Sequence, residues 1–292
     1  MKSKIMLLSL LLMFFFAGAV PVFAQQDDDV RGAFLTTRPK AGDTANRPAP
    51  RSTHRRPKSA PAPSPGLVVS GTISVTSKTA LPRMGLGLTL FMRDSNGQAV
   101  RTDPTRAFRK GDHVRFLLET NMNGYLYIFN TTDGGRPVMI YPDPELDEAG
   151  NYVQAHVPFE IPSSIAAEER LRWLTFDEHP GAEKLYFVFT REPLAGAPIE
   201  DDLLSFCREN AGKCPWHPSS ELWTRIQKEL GEPAKSTKAV GLGQSQTSGE
   251  HSAATRGIGL NREDPEPSFI LLTASSNKTI LVTTLELVHN AS

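Results

Sequence analysis

Val114, Phe116 and Leu118 recur at every second position, with Arg115 and Glu119 between them. Such a period of two marks a strand with one buried face, because successive side chains point to opposite sides of a sheet. The same rhythm governs Tyr125–Asn130, where Tyr125, Tyr127 and Phe129 alternate with Leu126 and Ile128. It returns in Lys184–Thr190, with Leu185, Phe187 and Phe189 on one face and Tyr186 and Val188 on the other, a strand apolar on both sides. A helix cannot gather this pattern on one side, so the chain is committed to sheets.

Further β-prone runs are Leu67–Thr76, Leu86–Arg93, Val138–Tyr141, Gln154–Ile161, Leu171–Phe176, Phe269–Ala274 and Thr279–His289. Asn121-Met122-Asn123-Gly124 and Asp133-Gly134-Gly135 are turn chemistry, so residues 113–141 read as an antiparallel meander, with Gly124 at a positive φ. Two helices interrupt the pattern. Ile199–Asn210 opens on Glu200, Asp201 and Asp202, which favour a helix N-terminus. Ser219–Leu230 opens on a capping serine and stops at Gly231 and Pro233. The expected fold is mainly β: a two-layer antiparallel β-sandwich with a short helical insertion (199–230) before the last strands, flanked by disordered linkers.

The N-terminus reads as an export signal. Lys2 and Lys4 precede an apolar run from Ile5 to about Val20, and Val22-Phe23-Ala24 offers small residues for cleavage after Ala24. Gln25 is then the expected mature N-terminus. No cysteine near that point could carry a lipid, and nothing later in the chain is long and apolar enough to span a bilayer. The expected location is periplasmic, envelope-associated or secreted. Basic and acidic residues balance at 32 each, and two of the basic ones leave with the signal, so no charge excess points to nucleic acid. Cys207 and Cys214, the two cysteines, suit an oxidising compartment and one disulfide.

Residues 25–66 combine an acidic start with prolines and Arg38, Lys40, Arg47, Arg51, Arg55, Arg56 and Lys58. Too little apolar surface is present to offset ordering, so this stretch is expected to be a disordered basic Pro-rich linker, either a plain spacer or a tether to an anionic surface. The β-sandwich domain is assigned to 67–292, with residues 232–254 as a disordered excursion.

The stretch Phe108–Asn130 reads F-R-K-G-D-H-V-R-F-L-L-E-T-N-M-N-G-Y-L-Y-I-F-N, and is followed by I-Y-P-D-P at 140–144, F-D-E-H-P-G at 176–181 and L-Y-F-V-F-T-R-E-P-L at 185–194. Together these resemble the bacterial domain-of-unknown-function family 4384 (DUF4384), over about 84–194 with looser likeness over 255–290. Members resembling this chain stand alone behind signal peptides or beside kinase, protease or repeat domains, which implies an accessory module. The family carries no agreed activity, so the resemblance transfers no catalytic residue.

Motifs for known chemistries are missing: there is no Gly-x-Ser-x-Gly, His-Glu-x-x-His, Walker loop or Cys-x-x-Cys. Gly85/Gly87, Gly241/Gly243 and Gly257/Gly259 lack the third glycine of a dinucleotide loop. Asp177-Glu178-His179 could do acid–base work, or could simply form an exposed turn before Pro180-Gly181. Asp143, Glu145, Asp147 and Glu148 could hold calcium, but Gly150 does not fall where a calcium loop needs it. The Tyr125, Tyr127, Phe129 stripe would bind a glycan or peptide if exposed, and would be core if covered. Three glycosylation sequons, at Asn130, Asn277 and Asn290, matter only in a eukaryotic secretory route. The functional expectation is a non-catalytic exported module that binds a protein or envelope polymer, without cofactor or metal. The alternatives are a small hydrolase using Asp177-Glu178-His179 and a purely structural spacer.

Overall fold

The computed structural model describes residues 22–42, 55, 82–144, 150–210, 214–232 and 234–290. Two sheets lie face to face. The first has the order β11 (Ala234–Ser236), β12 (Phe269–Thr273), β1 (Gly85–Arg93), β4 (His113–Thr120), β8 (Phe159–Ile161), with β2 (Ala99–Arg101) on β1 and β9 (Leu174–Thr175) on β4. The second runs β3 (Ala107–Phe108), β13 (Ile280–His289), β10 (Gly181–Thr190), β5 (Gly124–Thr132), β6 (Val138–Tyr141), with β7 (Tyr152–Val153) on β5. Every pairing is antiparallel except β13 with β3. This is the expected mainly-β sandwich.

Alternation sets the core. Leu86, Leu88 and Leu90 of β1, with Val114, Phe116 and Leu118 of β4, meet Leu126 and Ile128 of β5 and Leu185, Phe187 and Phe189 of β10. Tyr125, Tyr127 and Phe129 face the other way, yet they are buried too. Helices α2 (Glu200–Glu209) and α3 (Ser220–Leu230) cover them through Leu203, Leu222 and Ile226. The aromatic stripe is therefore core, and Tyr127 OH accepts the Leu194 amide at 2.9 Å. The Ser219 side chain caps α3 by accepting the Leu222 amide.

Several expectations need correction. The 113–141 run is not a meander, because β4 and β5 lie in different sheets and residues 121–123 carry the chain across. Asn121 ties that corner by accepting the Gly85 amide and donating to the Arg83 carbonyl. Gly124 is required by close approach, since a Cβ there would sit 2.4 Å from the Thr190 carbonyl oxygen. The expected strand Gln154–Ile161 is broken at His156, which turns the chain at φ 57. Within Leu171–Phe176 only β9 is extended, after a 3-10 turn at Glu169–Arg172. Leu67–Thr76 lies outside the described residues.

The linker expectation fails for its first part. Helix α1 (Val22–Leu35) packs Val30 and Phe34 against Ile270 and Leu272 on the outer face of the first sheet. Arg38, read as a tether charge, is fully buried. Its guanidinium donates to both Glu119 oxygens, at 2.9 and 2.6 Å, and to the carbonyls of Asn261, Asp264 and Pro265. Of the remaining linker, Arg55 pairs with Asp201 at 3.1 Å, while residues 43–54 and 56–66 lie outside the described residues. The excursion 232–254 is likewise structured in part. It holds β11 and the start of α4 (Ser248–Arg256), whose Thr247 and Glu250 form a capping box. Residues 1–21 of the expected signal also lie outside the description, and cleavage after Ala24 would fall in the first turn of α1. Among the described residues no helix is long and apolar enough to cross a membrane.

Candidate functional site

Where β4 and β9 begin and β5 and β13 end, a cleft of about 580 Å³ opens between the two sheets. Its apolar walls include Val114, Leu174, Phe176, Leu185, Leu287 and Trp216. The inward row of the second sheet changes character here. One alternation step beyond Ile128 stands Asn130; beyond Leu185 stands Glu183; beyond Leu287 stands His289. All three line the cleft.

These polar groups are only partly matched. Asn130 Nδ2 donates to Glu183 Oε2 at 2.5 Å, and Thr132 Oγ1 donates to the same oxygen at 2.9 Å. The Asn130 amide is thereby oriented, and its buried Oδ1 has no partner among the described residues. His289 Nδ1 donates to the His179 carbonyl at 2.8 Å. Since a carbonyl can only accept, Nδ1 holds the proton and Nε2 of the neutral ring is an acceptor. His289 is 5% exposed, and that Nε2 is buried with no hydrogen-bond partner among the described residues. Phe176 lies against the His289 ring, with centroids 5.4 Å apart, and stacks on Phe108.

Of the sequence candidates, Asp177 and His179 line the rim, while Glu178 pairs instead with Lys110 at 3.1 Å. Asp177 Oδ1 accepts the His179 amide at 2.7 Å, and Oδ2 lies 3.2 Å from His179 Nδ1. The His179 backbone N–H, then its ring, hold the Asp177 carboxyl below its usual range. Both side chains are mostly exposed, so water screens the pair. Among the described residues no hydroxyl or thiol hydrogen-bonds to the His179 ring. Asp143 lines the cleft, whereas Glu145, Asp147 and Glu148 lie outside the described residues. Among those described, no group of three or more His, Cys, Asp or Glu could hold a metal ion.

Cys207 and Cys214 are joined in a disulfide, Cα to Cα 5.5 Å. It anchors the end of α2 to Cys214-Pro215-Trp216, three residues of the cleft wall. The Trp216 carbonyl accepts the Met139 amide of β6 at 2.8 Å, fixing that wall to the second sheet.

The stretch from β3 to just past β10 carries most of these walls. Residues 107–193 match the family model of a domain of unknown function (DUF4384). The DUF4384 match includes Asn130, Asp177, His179 and Glu183, but stops short of the disulfide wall, Leu287 and His289. No curated protein and no solved structure matches the chain.

His289, Asn130 and Glu183 escaped the sequence reading. Their signal was a polar residue at an inward position, one step past the apolar run of each strand.

Proposed function

We propose that this chain is a non-catalytic exported module that binds a segment of another protein or envelope polymer in the inter-sheet cleft. The observation that carries this reading is a concave, mainly apolar cleft whose buried His289 Nε2 lacks a partner. A volume of about 580 Å³ suits a ligand of several residues or a small molecule. The disulfide and the expected leader support a location outside the cytoplasm. One observation favours the hydrolase alternative: Asp177 contacts His179 Nδ1, leaving Nε2 for a substrate proton. The pair has no bonded nucleophile among the described residues, and Glu178 is engaged elsewhere, so binding is the better-supported function.

The test is photo-crosslinking in the native host from position 175, inside the cleft, and from position 208 on α2 as a control. Adducts should form at 175 and vanish when Leu287→Trp fills the cleft. Equal adducts at both positions, or adducts indifferent to Leu287→Trp, would remove the cleft from the function.

A further inference from the structure

We propose that the group bound in this cleft is a cation on an apolar frame, namely an arginine or lysine side chain of a peptide segment. This rests on the cleft being the binding site. Among the described residues Asp143, Glu160, Asp177 and Glu183 line it, and no lysine or arginine does. Ionised carboxylates only accept hydrogen bonds.

The compensation of these charges is uneven. Glu160 has Arg115 at 3.7 Å and Asp177 has the His179 ring. Glu183, half-buried, takes its bonds among the described residues from the neutral donors of Asn130 and Thr132. Among the described residues its charge faces the cleft without a cation.

The unmatched buried atoms point the same way. In the neutral imidazole His289 Nε2 is an acceptor, because Nδ1 is committed to the His179 carbonyl. Asn130 Oδ1 is one because Nδ2 is committed to Glu183. These lone pairs are already shut off from water, and an anion would meet four carboxylates. A guanidinium or ammonium supplies several N–H donors, and its aliphatic stem packs on Leu174, Leu185 and Leu287. The apolar walls thus take the frame, and the polar inward row takes the head.

The test uses the full chain, isotope-labelled, and three capped hexapeptides sharing a leucine–proline frame with arginine, glutamine or glutamate at one position. Backbone amide shifts of Thr175, Glu183 and His289 report binding at the cleft. The arginine peptide should bind about tenfold more tightly than the glutamine peptide, and the glutamate peptide most weakly. Glu183→Gln should remove most of that preference, weakening the arginine peptide far more than the glutamine peptide. Should Glu183→Gln fail to fold, Asp177→Asn on the exposed rim should still narrow the preference by a smaller factor. Equal affinities at the cleft, or a preference for glutamate, would overturn the cation while sparing the cleft. Absence of cleft shifts with all three peptides at millimolar concentration would overturn both.

Discussion

On the outer face of the first sheet, Glu119 receives Arg38 and His156, and every strong donor of Arg38 is spent on a carboxylate or a carbonyl. At the open end of the sandwich, Glu183 is served by neutral donors while His289 and Asn130 keep buried atoms unmatched. The same residue types are thus used in two ways. Arg101 with Glu250, both buried, repeats the first pattern beside the capped helix α4. Charges that are fully matched hold the N-terminal segment in place, whereas groups left open mark where something else belongs.

The largest expected effect breaks the closed side. Arg38→Ala leaves the Glu119 carboxylate buried and strands three carbonyls, so unfolding free energy should fall by about 3–5 kcal/mol. Denaturant titration gives the value, and faster hydrogen exchange in α1 should accompany it. A loss within error would return residues 25–42 to the status of a loose linker.

Acid should sharpen the contrast by a smaller amount. Burial opposes the Glu119 charge, but hydrogen bonds and charges from His156 and Arg38 outweigh it and hold the carboxyl below its usual range. A folded value below the unfolded one means that the unfolded chain binds the proton first. The stabilisation is therefore intact above about pH 4.3, the ordinary glutamate value, and declines as pH falls from there through the folded value. The stability gap between the parent chain and Arg38→Ala should narrow over that window. A gap independent of pH would show that the ion pair is not what the substitution removes.

The smallest effect is expected at the rim. Asp177→Asn touches an exposed pair, and the melting temperature should not move resolvably. A clear drop would make Asp177 part of the scaffold.

Strands were readable because their signal is local: Val114-x-Phe116-x-Leu118 needs only its own neighbours. Their assignment to sheets was not, since Asn121 crosses between layers through bonds to Gly85 and Arg83, far back in the chain. Helix α1 was hidden for a similar reason. Its sequence is half apolar with three consecutive aspartates, and what seats it lies far along the chain: Ile270 and Leu272 under Val30 and Phe34, and Glu119 and carbonyls near residue 264 around Arg38. The capping box Thr247-x-x-Glu250 went unread in a stretch poor in apolar residues. Asp177 and His179 could be found from sequence, while the cleft they border could not, because its walls come from both sheets and the disulfide-anchored segment.

The pairings also set an order of events. β1 pairs early with β4 but takes its other neighbour from β12, Gly85 opposite Leu272. Likewise β10 pairs with β5 but takes its other neighbour from β13, Leu185 opposite Leu285. Helix α1, at the other extreme of the described chain, waits for the same β12. A growing polypeptide therefore completes neither layer until β12 and β13 have been made. Long-range closure of this kind is slow, because loop entropy is lost before contacts repay it. Such a chain keeps both of its sheets open while most of it is being made.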